Sequence, residues 1–160
     1  MIVISDATPV NILIRIGFIH VLPHLFDTVL LPTAVIKELS HPRAPQIVRE
    51  WAAQLPGWAQ VRSPNATGAG ATGMGAGERE AILLALEVGA DLLLVDDYQA
   101  RQAAKREGLF ILGTVGVLER ASQRHLLSLV DAVDRLKNTD FRVDAKLLES
   151  ALERDRLRNK

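Results

Sequence analysis

A chain of 160 residues, 48% of them hydrophobic, is long enough to bury one core and too short for two ordinary domains. Lysine plus arginine and aspartate plus glutamate each number 19, so no whole-surface charge draws the molecule to nucleic acid; such a contact must come from a local basic patch. The absence of cysteine excludes disulfides, thiolate metal sites and cysteine nucleophiles, and is compatible with a reducing cytoplasm.

The first six residues lack the basic region of a signal peptide, and no apolar run is long enough to span a bilayer, so the expectation is a soluble, cytoplasmic protein without membrane contact. Residues 2–5 form a β-branched run ending on Asp6. Thr8 then suits a helix cap and Pro9 the first helical position. A second strand over 28–31 leads into a helix begun by Pro32, with Val35, Ile36 and Leu39 in its body, Glu38 near its end and Pro42 stopping it. Residues 44–55 are helical in period, and 58–62 form a short strand. The stretch 64–77, rich in glycine, alanine and threonine, reads as a flexible loop with little to bury. A helix over 78–88 closes on Gly89, and the wholly apolar 92–95 is a strand buried on both faces, ending at Asp96-Asp97. A helix over 98–106, a stop at Gly108, a strand over 109–112 and helices over 115–122 and 126–136 continue the alternation. The amphipathic segment 143–157 closes the core or meets a partner. This β-α-β-α order predicts an α/β domain with a parallel sheet covered by helices.

Sites in open parallel sheets form beyond the carboxyl ends of the strands, where Asp6 and the Asp96-Asp97 pair stand. Glu78 opens a helix at or near that edge, and Glu38 lies on the helix after the second strand. Carboxylates brought so close repel unless a proton or cation neutralises them, and oxygen ligands without cysteine or paired histidine select Mg²⁺ or Mn²⁺. Such ions serve phosphodiester hydrolysis by polarising the phosphoryl oxygen and activating water. Each acid also has a plainer role: Glu78, Glu80 and Asp97 sit in first turns, where they favour the helix dipole, and Glu38 can be an exposed helical glutamate. Asp6 is the hardest to explain that way, because Thr8 is available as the cap.

The segments ISDATPVNIL, LPTAVIKEL, GEREAILLALEVGADLLLVDDYQAR and GTVGVL resemble the PIN-domain family, in particular a prokaryotic subfamily related to toxin–antitoxin ribonucleases. The resemblance runs from Ile2 to about Leu152. It implies a three-layer α/β/α domain with a central parallel sheet of four to five strands. It further implies a metal-dependent endoribonuclease, the toxin of a toxin–antitoxin pair, with a small antitoxin protein and a second copy of the chain as partners. On the matching positions Asp6 and Glu38 are the first two acids, Glu78 stands where many relatives carry aspartate, and Asp97, with Asp96 beside it, is the last; Thr8 supports the site by hydrogen bonding. Glu78, longer by one methylene than aspartate, and Val95-Asp96-Asp97 in place of Thr-Asn-Asp are departures from active toxins.

For RNA contacts, Arg101 and Lys105 follow Asp97 on one helical face and suit phosphates, although Asp97 to Arg101 is also an ordinary i,i+4 ion pair. Arg79 and Lys37 are further candidates, and Tyr98 is the aromatic placed to stack a base. Asn11, one turn into the first helix, is within reach of the site or faces solvent. The G-x-G-x-x-G match at 68–73 follows no buried strand, and Glu78 and Glu80 would repel a pyrophosphate there. His20 and His24 share a helical face without a third zinc ligand, and read as partly buried or interfacial. Two functions compete with the nuclease: a PIN-like binding module without hydrolysis, and a receiver-like phosphoacceptor, which would place its acid pair after the first strand.

Overall fold

The computed structural model describes residues 1–65 and 74–159. The strands are β1 (Val3–Ser5), β2 (Val29–Leu31), β3 (Ala59–Val61), β4 (Leu92–Leu94) and β5 (Ile111–Leu112). They form one sheet in the order β3-β2-β1-β4-β5, and every pairing is parallel. The helices are α1 (Ala7–Arg15), α2 (Val21–Phe26), α3 (Thr33–Leu39), α4 (Gln46–Ala53), α5 (Ala76–Val88), α6 (Tyr98–Arg106), α7 (Thr114–Gln123), α8 (Leu129–Lys137) and α9 (Ala145–Arg158).

Alternation along the strands sorts the core into two layers. Val3, Val29, Leu31, Leu92 and Leu94 face the larger cluster with α1, α2, α3, α4, α7, α8 and α9. Ile4, Leu93 and Val95 face the smaller one, filled by Ala81, Ile82, Leu84 and Ala85 of α5 and Ala100, Ala103 and Ala104 of α6. The result is the three-layer α/β/α arrangement with five parallel strands. Small alanines on α6 let that helix lie close to the sheet. Among the described residues no helix is long and apolar enough to cross a membrane.

Several expectations need correction. The first helix begins at Ala7 with Asp6 in the N-cap position, so Thr8 is not the cap and Pro9 is the third helical residue. The six-residue α2, with Pro23 in its first turn and stopped at Asp27 with φ +64°, is not expected from the sequence because its period is too short to register. Helix α5 starts at Ala76, two residues inside the stretch read as a loop. Residues 66–73 of that loop, including the G-x-G-x-x-G match, lie outside the described residues. His20 and His24 are exposed rather than partly buried. Helix α9 closes the core through Leu148 and Ala151, whereas Leu147 is half exposed.

Candidate active site

Chain segments turn from strand to helix at the carboxyl edge of the sheet, where β2 leads into α3, the helix that carries Glu38. Asp6 follows β1, Asp96 and Asp97 follow β4, and Gly113 and Thr114 follow β5. Because β1 and β4 are neighbours whose onward connections run to opposite sides, the edge opens between them, the usual place for a ligand in such sheets. Backbone bonds hold the edge together: the Asp6 N–H donates to Leu94 O at 2.9 Å and the Val95 N–H to Leu112 O at 3.0 Å.

Asp6 is 3% exposed, and its Oδ1 is a buried oxygen with no hydrogen-bond partner among the described residues. Although Asp6 occupies the N-cap position of α1, its side chain makes no capping bond. Burial pushes its pKa up to about 7. The Ala7 N–H pulls against that, and the charges of Glu78, Glu38 and Asp96 add to the rise. Glu38 sits on α3, open to solvent on one side; burial of the other, and then the charge of Glu78, raises its carboxyl above the usual range.

Gly77, in the first turn of α5, shows how closely these groups meet. A β-carbon there would stand 2.7 Å from Glu38 Oε1 and 3.3 Å from Asp6 Oδ1. Two carboxylates, one from the exit of β1 and one from α3, thus converge on the start of α5, where only a glycine leaves room. Glu78, half-buried in the same turn, folds back so that a β-carbon on Gly75 would lie 2.6 Å from its Oε2. Glu80 turns elsewhere: its Oε1 accepts from the Ala34 N–H at 3.0 Å and locks α5 to the start of α3.

Asp96 is tied on two sides. Its Oδ1 accepts from the Thr114 N–H at 2.8 Å and its Oδ2 from the Thr114 hydroxyl at 2.6 Å. Burial raises its carboxyl, and those two bonds and the Arg101 charge pull it back. Gly113 makes space for this contact, since a β-carbon there would be 2.8 Å from Asp96 Oδ1. Asp97 is exposed, and its Oδ2 caps α6 by accepting from the Ala100 N–H at 3.0 Å. Of the pair, Asp96 is the one whose charge reaches Asp6.

The structure therefore brings together Asp6, Glu38, Glu78 and Asp96, and sets Asp97 to capping. Gly77, Gly113 and Thr114 were not singled out from the sequence. A glycine just before a helix that follows a strand was the available signal, and it applies to Gly113.

The donor chemistry fits a hard divalent cation: a buried carboxylate oxygen without a donor, in the field of three further acids. As they stand, however, no three acidic or histidine side chains among the described residues are close enough together to hold a metal ion.

Around the acids lie two hollows. One, of about 310 Å³, is lined by Thr8, Asn11, Arg15 and Glu38, with Phe141 and Arg142 at its edge. The other, of about 480 Å³, is lined by Asp96, Tyr98, Arg101 and Arg154, and again by Phe141 and Arg142. Thr8, Asn11 and Tyr98 thus open onto the groove. Arg101 reaches it too, with Nη1 donating to Val95 O at 2.9 Å. Lys105 and Lys37 are exposed near the far ends of α6 and α3, and Arg79 lines a separate hollow between α5 and α6.

Comparison with curated proteins and with solved structures gives no match. A family model described as PIN domain matches residues 2–156, which takes in every strand and all the acids above. The chain belongs to the PIN-domain family.

Proposed function

We propose that this protein is a divalent-metal-dependent endoribonuclease, with Asp6, Glu38, Glu78 and Asp96 as the acids that hold Mg²⁺ or Mn²⁺. PIN domains are typically nucleases and usually use divalent metals, which supports the general class. The observation that carries the reading is the orphaned Oδ1 of Asp6, buried in the field of further acids with no donor to it among the described residues. A buried acceptor without a partner costs roughly 1–3 kcal/mol, and a cation removes that cost.

Each residue has a role that its surroundings support. Without metal, Asp6 holds a proton near neutrality; releasing it supplies the first ligand oxygen. Asp96 is fixed by Thr114 and offers an oriented second carboxylate. Glu38 and Glu78, on longer side chains at the mouth of the site, complete the set by swinging inward. A bound cation would polarise the phosphoryl oxygen and lower the pKa of an attacking water. Thr8 and Asn11 line the approach on one side, Tyr98 and Arg101 on the other. The finer reading, a toxin silenced by a small antitoxin protein and acting as a dimer, follows from the family resemblance of the sequence motifs.

A second reading is favoured by one observation: the acids do not stand at ligand spacing. In that case the chain is a PIN-like module that binds RNA or protein without hydrolysis. Incubating purified protein with defined RNAs, with and without Mn²⁺, separates the two. Metal-dependent cleavage that falls in the Asp6→Asn and Asp96→Asn variants is the expected outcome. The loss should exceed the ~10–100-fold typical of removing a ligand's supporting group. Cleavage of equal rate in both variants would reject the assigned site, and binding without cleavage would favour the module.

A further inference from the structure

The proposed substrate is an anion approaching four acids, so the groove needs a cation of its own beyond any metal. Four arginines line the two hollows: Arg15, Arg101, Arg142 and Arg154. Three are engaged. Arg15 Nη1 pairs with Asp140 Oδ1 at 2.7 Å. Arg101 donates to Val95 O and stands beside Asp96. Arg154 makes a two-pronged bond to Glu119 at 2.6 and 2.9 Å. Arg142 has no hydrogen bond or ion pair within the described residues, and it is also the arginine that borders both hollows.

Its backbone is nonetheless well anchored. The Thr139 hydroxyl donates to Leu136 O at 2.7 Å and accepts from the Phe141 N–H at 3.2 Å, closing the end of α8. Asp140 is held to α1 by Arg15, and the Phe141 ring packs against the core. Asp144 then caps α9, its Oδ1 accepting from the Lys146 N–H at 2.9 Å. An exposed guanidinium on a pinned segment keeps its charge available, and its planar fork can offer two N–H donors to the oxygens of one phosphate.

We infer that Arg142 is a substrate-binding residue that contacts a backbone phosphate of single-stranded RNA crossing from one hollow to the other. The inference rests on the ribonuclease reading. It moves the leading phosphate contact from α6, where the sequence pointed, to the segment between α8 and α9. Arg142 is a binding residue rather than a catalytic one, so its loss weakens affinity before it slows the chemical step.

The test measures fluorescence anisotropy of a short 5′-fluorescein single-stranded oligoribonucleotide in Mn²⁺, in the Asp6→Asn background so that the RNA stays intact. Adding Arg142→Ala should weaken binding about three- to tenfold. It should also reduce the slope of log affinity against log salt by about 0.7, the release expected for one phosphate contact on a single strand. Arg142→Lys should restore most of the slope, and melting temperatures should be unchanged throughout. Equal affinity and slope with and without Arg142 would overturn this role alone. No RNA binding by the unmutated protein would remove the nuclease reading and this inference with it.

Discussion

The ends of β1 and β4 lie side by side, and each delivers a carboxylate shielded from water to the same edge, yet the two are treated differently. Asp96 receives the Thr114 N–H and hydroxyl and has Arg101 beside it. Asp6 receives no hydrogen bond at Oδ1 among the described residues and has three acids acting on it. Desolvation raises both carboxyls; at β4 two bonds from Thr114 and the Arg101 charge oppose it, whereas at β1 only the Ala7 N–H does. A carboxylate with donors is fixed in place. One with fewer is held in an unfavourable state that a proton or a cation relieves, and on the proposed function the β1 end would favour a bound cation while the β4 end would set the geometry.

That contrast can be broken most forcefully at Asp6. Its folded-state pKa, about 7, lies above the ordinary 3.8, so the folded form binds the proton more tightly. Metal-free stability therefore falls as pH rises from about 4 through about 7. Asp6→Asn removes the penalty, and in chelator at pH 8 it should be more stable than the unmutated protein by on the order of 2–4 kcal/mol, the two converging near pH 4. Urea unfolding at the two pH values measures this; parity at pH 8 would mean Asp6 is not strained by burial. At the β4 end the opposite sign is expected. Thr114→Val deletes the hydroxyl bond to Asp96 and should cost about 1.5–3 kcal/mol. The same change lifts the Asp96 carboxyl further, so the acid limb of the pH–cleavage profile should move to higher pH.

Smaller changes sharpen the picture. Gly77→Ala places a β-carbon 2.7 Å from Glu38 Oε1 and must push that carboxylate away. Cleavage should fall about 10–100-fold, since displacement of a reacting group by an ångström can cost that much, while circular dichroism stays native. Asp97→Ala should cost about 0.5–2 kcal/mol as a lost helix cap. Its effect on metal affinity should be slight, in contrast to Asp96→Ala.

Much of the fold was legible because local physics and tertiary demand agree. Leu92–Leu94 has no polar residue to expose and reads as a strand buried on both faces, while Gly89, at φ +62°, marks the end of α5 as expected. Helix α6 spans the predicted residues because Asp97 caps it and its alanines face the sheet. The errors arise where local cues compete. Thr8 and Pro9 are good N-terminal residues, but the backbone bond from Asp6 to Leu94 starts the helix earlier and leaves Asp6 at the cap. At the site, the sequence could nominate acids at strand ends, as it did with Asp6 and the Asp96-Asp97 pair, and acids on adjoining helices, as with Glu38 and Glu78. It could not decide between Asp96 and Asp97, because the choice depends on Thr114, eighteen residues away on another strand's exit. Gly77 was invisible for a related reason: its importance comes from α3, which packs against α5 only in the folded chain.

The most direct measurement is a calorimetric Mn²⁺ titration of the metal-free protein at pH 8, beside Asp6→Asn. Micromolar binding by the unmutated protein, weakened at least about tenfold in the variant, is the predicted result. No binding, or binding of equal strength in both proteins, would contradict the claim that these acids are gathered around a shared cation.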